Sequence, residues 1–282
     1  MMRVRRVLAA VDLSASSPKA VLAAAELAAV AKAELIVLTV LQDPWELVGP
    51  EEVEGYRRAR TGSPAALAAT RAAQRLQQLT GPAALPAHSV SYRTAFGLPG
   101  IEVPRHAEES GADILVLGRP SAKRPQNKGP SLTAAILRRS RIPVLIAPTT
   151  HRVYQRVLAA VDDSPNAPTV LNAAITVGDC FGAQIAALHV KPTSTLPVQS
   201  SDRPRWLRRL EQTESGGGAV VAACETLVRQ GDPATEILAQ AQDSDLLVIG
   251  YHRGMLLDEP AAPGIATRVL RRATCAVLAV PV

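Results

Sequence analysis

The chain has 282 residues with Lys+Arg 31 against Asp+Glu 25, a formal charge of +6, and hydrophobic residues make up 47% of it. That balance belongs to a folded protein rather than a disordered one, and the length allows two ordinary domains or one large one. Aromatic residues are only 3%, which excludes a base-stacking platform for single-stranded nucleic acid and leaves a core of Ala, Val, Leu and Ile.

The arginines collect in helical stretches (Arg57, Arg58, Arg60, Arg71, Arg75; Arg203, Arg205, Arg208, Arg209) and read as solvated helix faces, with no nucleic-acid partner expected. Cys180, Cys224 and Cys275 form no C-x-x-C pair, so they read as small buried hydrophobes in a reduced compartment. The basic start at Arg3, Arg5 and Arg6 is followed by an apolar run that stops at Asp12, short of the roughly 7–15 residues of a signal-peptide core. Glu26, Lys32 and Glu34 interrupt the best candidate for a span of about 20 apolar residues. A soluble cytoplasmic protein without a membrane partner is expected.

Residues 7–11 are a continuous apolar run ended by Asp12, the pattern of a strand buried on both faces. Ser17 followed by Pro18 opens a helix that runs to about residue 33. A strand at 35–41 follows, then a helix at 64–79 with Arg71, Arg75 and Gln78 toward solvent. The remaining elements are a strand at 90–93, a helix at 102–109, a strand at 114–117, a helix at 131–139 and a strand at 143–147. The second half gives strands at 157–161, 185–190, 220–228, 246–249 and 276–280. Its helices fall at 167–181, 206–214, 234–242 and 265–272.

The two halves repeat each other. Arg6-Val7-Leu8-Ala9-Ala10-Val11-Asp12 recurs as Arg156-Val157-Leu158-Ala159-Ala160-Val161-Asp162, and Gly97-Leu98-Pro99 matches Gly231-Asp232-Pro233. Ala112-Asp113-Ile114-Leu115-Val116-Leu117-Gly118 matches Ser244-Asp245-Leu246-Leu247-Val248-Ile249-Gly250, and Ile136-Leu137-Arg138-Arg139 matches Val269-Leu270-Arg271-Arg272. Collinear matches at this long period mean a duplicated domain, 1–150 and 151–282, each copy with its own core. Strand-helix alternation implies a parallel sheet with helices on both faces, so the fold class is α/β, two tandem doubly wound five-stranded domains. Ligands in such sheets bind beyond the carboxyl ends of the strands, where the strand order reverses.

These segments resemble the universal stress protein family in its tandem form. The carriers are Val-Leu-Ala-Ala-Val-Asp-x-Ser at the first strand and Leu188-His189-Val190. The Gly-x-Pro step, Ala-Asp-Ile-Leu-Val-Leu-Gly, and the Val-Leu-Arg-Arg ending with Pro143-Val144-Leu145 complete the set. The resemblance implies an adenine nucleotide alpha hydrolase-like fold and a non-catalytic stress-response or signalling role. Some family members bind ATP, with Mg only in its company; others hold no nucleotide. The adenine side would fall on Val11 and Asp12, and on Val161 and Asp162, with Val40 and Val190 at the adjoining strand ends as further nucleotide-binding candidates. The resemblance also implies a pairing of the last strands of the two copies, an internal pseudo-dimer, while an unknown protein partner or a homodimer stays open. The alternative is that each edge is covered by its own loops.

The family's phosphate loop is a Gly, two residues, a second Gly, about nine residues, then Gly-Ser/Thr. Its glycines let the backbone approach phosphate oxygens, and N–H groups at the helix start hold them. Here Gly118 is followed by Arg119-Pro120-Ser121, and Pro130-Ser131 stands at the Gly-Ser/Thr position with Gly129 one residue early. In the second copy Gly250 is followed by Tyr251-His252-Arg253, with Gly254 a place late, and Pro263-Gly264 stands at the end position. Proline has no N–H and fixes φ, so each cradle loses a donor. Gly129 and Gly264 in a shifted cradle, or charge from Arg119, Lys123, Lys128 or Arg253, would compensate.

Against these roles stand plainer ones. Asp12 and Asp162 would brace the following loop, and Ser131 would be a simple helix N-cap. His88, His106, His151, His189 and His252 lack metal-ligand spacing. Neither a G-x-S-x-G elbow nor a P-loop occurs, so no residue reads as catalytic. A nucleotide-free scaffold is the alternative function, and a slow ATPase rests on fold analogy alone. Segments 42–63 and 191–205 read as mobile lids, the first carrying Trp45 and the second adjoining Trp206.

Overall fold

The computed structural model describes residues 3–13, 17–43, 64–80, 90–119, 131–148, 154–193, 204, 206–207, 224–253 and 264–282. The chain divides into two compact units, Val4–Ile142 and Pro143–Val282. In the first, β1 (Arg6–Val11), α1 (Ser17–Ala31), β2 (Glu34–Leu41), α2 (Pro64–Thr80), β3 (Val90–Phe96), α3 (Pro99–Glu109), β4 (Ile114–Leu117) and α4 (Leu132–Arg139) follow in order. The second holds β5 (Val144–Ile146), β6 (Arg156–Ala160), α5 (Ala167–Phe181), β7 (Gln184–Lys191), β8 (Cys224–Gln230), α6 (Pro233–Gln240), β9 (Asp245–Tyr251), α7 (Ile265–Arg272) and β10 (Ala276–Pro281).

The N-terminal unit orders its strands β3-β2-β1-β4, all parallel, with β1 in the middle. Its Val7, Leu8 and Ala9 are fully buried, as a run without polar alternation requires. The C-terminal unit orders its strands β5-β10-β9-β6-β7-β8, with β6 in the equivalent place. In each unit the order reverses beside the first strand of the copy, so β1/β4 and β6/β9 frame the two switch points.

Among the described strands one pair departs from the parallel arrangement. β5 runs antiparallel to β10, pairing Ile146 with Val277, Leu145 with Leu278 and Val144 with Ala279. The two apolar strand edges therefore meet, which buries both Val144 and Val277 and removes two backbone edges that would otherwise invite pairing. The alternative, loops over each edge, does not hold.

Boundaries shift where backbone geometry outweighs hydrophobic pattern. α1 stops at Ala31 because Lys32 adopts φ +54, and Ala33 N–H donates back to Ala28 O at 2.8 Å. The second copy closes α5 identically with Gly182 at φ +62 and Ala183 N–H to Gly178 O at 2.9 Å. Lysine bears a steric cost there that glycine does not. β3 extends to Phe96 because its partially polar side chains stay in register with β2 as far as Leu41. α3 begins at Pro99, at the head of the helix where its missing N–H costs nothing.

The Gly-x-Pro step has a structural cause in both copies. Gly97 has φ +132 and Gly231 φ +158. Their N–H groups prolong the ladders to Leu41 O and Lys191 O, each at 3.0 Å. A Cβ on either would strike the Glu side chain one turn into the following helix, at 3.0 Å (Glu102) and 2.9 Å (Glu236). Only glycine fits.

Arg6 and Arg156 occupy equivalent places at the amino ends of the central strands but are wired differently. Arg6 Nε donates to Glu34 Oε2 at 2.8 Å and its Nη1 to the Ser110 carbonyl, while Asp113 takes the backbone N–H of Arg5 and Arg6. The second copy has Gln184 where Glu34 stood. Arg156 turns instead to buried Asp245, at 3.1 and 2.5 Å, and Asp245 also accepts from Gln242 N–H at 2.8 Å.

Candidate functional site

The carboxyl ends of the central strands are built by the same register in both copies. Ala10 pairs with Leu117, which sets Val11 beside Gly118, and Ala160 pairs with Ile249, which sets Val161 beside Gly250. On the other side Val11 faces Thr39, so Asp12 falls beside Val40; Val161 N–H donates to Leu188 O at 2.9 Å, which brings Asp162 beside Val190. The residues Val11, Asp12, Val40 and Gly118, and likewise Val161, Asp162, Val190 and Gly250, are thus gathered as two clusters.

Side chains hold each strand end. Buried Thr39 donates its hydroxyl to Val11 O at 3.0 Å. At the matching place His189, 5% exposed, uses Nδ1 against Val161 O at 3.0 Å. A carbonyl only accepts, so Nδ1 carries the proton and the ring presents Nε2 toward Asp163 Oδ2, 3.7 Å away. Asp163 Oδ1 in turn accepts from the backbone N–H of Trp206 at 3.3 Å. These strand-end donors were invisible to pattern reasoning; Thr39 carried no signal, and Leu-His-Val marked the place of His189 without its bond.

The carboxylates do local work. Asp12 is exposed and accepts from the Ser17 hydroxyl at 3.0 Å, tying the strand end to the first residue of α1. Leu13, the next residue, sits at φ +59, a conformation that costs a branched side chain about 1 kcal/mol. Asp162, also exposed, closes a turn by accepting Ser164 N–H at 3.1 Å. Ser131 caps α4, its hydroxyl accepting Ala134 N–H at 3.2 Å, and Gly264 occupies the same place before α7 without a side-chain cap.

The two loops that follow differ. β4 ends at Leu117, so Gly118 stands half-buried outside the strand. β9 runs on through Gly250 to Tyr251 and stays laddered to β10, with Val280 opposite Gly250 and Pro281 opposite Tyr251. A Cβ on Gly250 would lie 3.1 Å from Val170 Cγ2. Tyr251 is buried, and that burial pushes its phenol pKa up. Ser121, Gly129 and Gly254, with Pro120, Pro130 and Pro263, lie outside the described residues, as do Trp45 and most of the two expected lids. Trp206, adjoining the second, is 2% exposed. No helix among the described residues is long and apolar enough to cross a membrane.

Comparison with known proteins places this geometry. The model of the universal stress protein family matches residues 3–148 and again 153–281. A universal stress protein from Archaeoglobus fulgidus DSM 4304 shares the fold at TM-score 0.67 and 19% identity, over 98% of this chain and 96% of that one. A putative universal stress protein from Pseudomonas aeruginosa UCBPP-PA14 does so at TM-score 0.61 and 20% identity, over 99% and 93%. No curated protein sequence matches. Two collinear copies, each with its switch point beside a Val-Asp strand end and each matched in turn by one family model, make the chain a tandem member of the universal stress protein family.

Proposed function

We propose that the chain is a non-catalytic stress-response module, built of copies at 1–150 and 151–282, in which only the N-terminal copy takes an adenine nucleotide. The observation behind this reading is the contrast in the loops: Gly118 stands clear of β4, whereas Gly250 is laddered within β9 and packed on Val170. Ligands of doubly wound sheets sit beyond the strand ends. There the N-terminal copy offers an exposed carboxylate at Asp12 and a half-buried apolar wall at Val40. The second copy's continued strand occupies the backbone that a phosphate would need, which makes that half structural. Mg2+ enters only as counter-ion of the triphosphate. With its three cysteines free, the protein is assigned to a reducing compartment, the cytoplasm.

Equilibrium dialysis with labelled ATP and Mg2+ tests this directly, alongside mass spectrometry of the denatured protein for nucleotide carried through purification. One equivalent per chain is expected, with Asp12→Ala weakening binding about tenfold, or about 1.4 kcal/mol, and Asp162→Ala leaving it unchanged. Absence of binding at millimolar ATP would favour the second reading, a nucleotide-free scaffold, which the prolines at 130 and 263 support by removing phosphate-facing N–H groups.

A further inference from the structure

In the C-terminal unit a hollow of about 280 Å3 opens at the amino ends of the strands, the opposite end from the clusters described above. Arg156 of β6, Gln184, Ile185 and Ala186 of β7, and Glu225 of β8 line it. Strand register explains the grouping. Asp245, Arg156 and Gln184 pair across β9, β6 and β7, and Ala186, two residues on, pairs with Glu225. Paired residues and residues two apart share a face of a sheet, so all five side chains project to one side. That side continues through Leu158 and Leu188 into the core beneath α6. α6 stops at Gln240, whose carbonyl accepts from Arg156 Nη2 at 2.9 Å, and the amino-end row lies past it.

The charges of this row are unevenly matched. Buried Asp245 cancels Arg156 in a two-point pair, taking Nε–H and one N–H of Nη2. The Gln240 carbonyl takes the other, so the two N–H groups of Nη1 are accepted by no described residue. Glu225 is exposed and forms no ion pair with Arg156 or any other described residue. Asp245 foremost, and Glu225 least, hold the guanidinium charged against the cost of burial, so the Glu225 carboxylate faces the arginine without closing on it. β7 separates the two strands, whose backbones lie about 10 Å apart. The first copy has no such gap. Glu34 stands on the neighbouring strand and meets Arg6 directly at 2.8 Å, and Ser91 occupies the place of Glu225.

We propose that this hollow binds a small primary ammonium that also carries an acceptor oxygen, with the ammonium on Glu225 and the oxygen on the Nη1 donors of Arg156. Asp245, Arg156 and Glu225 sum to one negative charge, which a monocation neutralises. The Gln184 amide, both donor and acceptor, lies between the two ends, and Ala186 gives an apolar floor.

Calorimetric titration of the full chain with L-alaninamide at neutral pH tests the site, and saturable binding at one equivalent is expected. N-acetyl-L-alaninamide keeps the carbonyl and loses the charge, and should bind at least about tenfold more weakly. Glu225→Gln should cause the same loss with an unchanged urea midpoint, since the side chain is exposed. L-Alanine should also bind more weakly, because its carboxylate meets Asp245 behind Arg156. Undiminished binding in Glu225→Gln overturns the proposal, as does a preference for L-alanine or for the acetylated amide. Absence of L-alaninamide binding at millimolar concentration overturns it too. None of these results bears on the nucleotide reading, whose site is at the other end of the strands.

Discussion

The two copies share a frame and differ in how they finish it. Thr39 and His189 stand at the same register position and make the same bond to the carbonyl that ends the central strand. Beyond that carbonyl the copies part. The N-terminal copy ends β4 before Gly118, whereas the C-terminal copy continues β9 through Gly250 to a buried Tyr251. The frame is kept by geometry that many side chains can satisfy, whereas the loops after β4 and β9 follow different backbone paths. On the proposed reading the longer ladder of the second copy would occupy backbone that a ligand could use in the first.

The sharpest way to break this comparison is at the amino ends of the central strands. Asp245→Ala strands Arg156 and the Gln242 N–H without their carboxylate, and should cost about 2–3 kcal/mol. Asp113→Ala loses only two backbone N–H contacts, with Arg6 still on Glu34, and should cost about 1 kcal/mol. Urea unfolding midpoints of the two variants, at unchanged m, read the difference. Equal losses would show that the two wirings are energetically equivalent.

A smaller effect concerns the first helix of each copy. α1 carries the fully buried Ala28, while α5 carries Gly178 at the matching place, where a Cβ would fall 2.9 Å from Ile185 Cγ1. Branching at Ile185 demands the glycine. Gly178→Ala should therefore destabilise by about 1 kcal/mol despite alanine's better helix propensity. Adding Ile185→Leu, the first copy's choice, should recover most of it. A thermal melt of the single and double variants decides, and a stabilised single variant would refute the packing argument.

The smallest expected effect is pH-dependent. Asp232 caps α6 through Thr235 and forms a two-point pair with Arg268, at 2.8 and 2.6 Å. The Arg268 guanidinium, and then Thr235, hold its carboxyl well below the usual carboxylate range. A depressed native pKa stabilises above the unfolded value and is lost as pH falls through the native one. Wild type should exceed Asp232→Asn in Tm at neutral pH, and the gap should begin to narrow below about pH 4, where the unfolded carboxyl protonates, and close only as pH approaches the lower native value. Leu98 and Ala135 occupy the matching places in the first copy, so Leu98→Asn should show no pH-dependent difference. A pH-independent gap at Asp232 would mean that the pair contributes nothing beyond the cap.

Much of the fold was legible from pattern. Apolar runs such as 7–11 and 114–117 could only be doubly buried strands, and the collinear matches required two like units. The gathering of Val11, Asp12, Val40 and Gly118 followed from strand order. The α2 face of Arg71, Arg75 and Gln78 was read as solvated, which its exposure supports. That it also lines a hollow beside Leu13 depends on how Ala68 and Ala72 seat the helix, and periodicity gives a face without saying what stands opposite.

Local chemistry along the chain determined which segments are strands and helices, where glycine is compulsory at Gly97 and Gly231, and that a unit was copied. Only the tertiary structure decided that β5 pairs antiparallel with β10, that Arg156 chooses Asp245, and that β9 overruns Gly250. Hydrophobic periodicity is a property of near neighbours in sequence. Strand pairing and ion-pair choice depend on groups brought together from far along the chain, and those meet only when the sheet has formed.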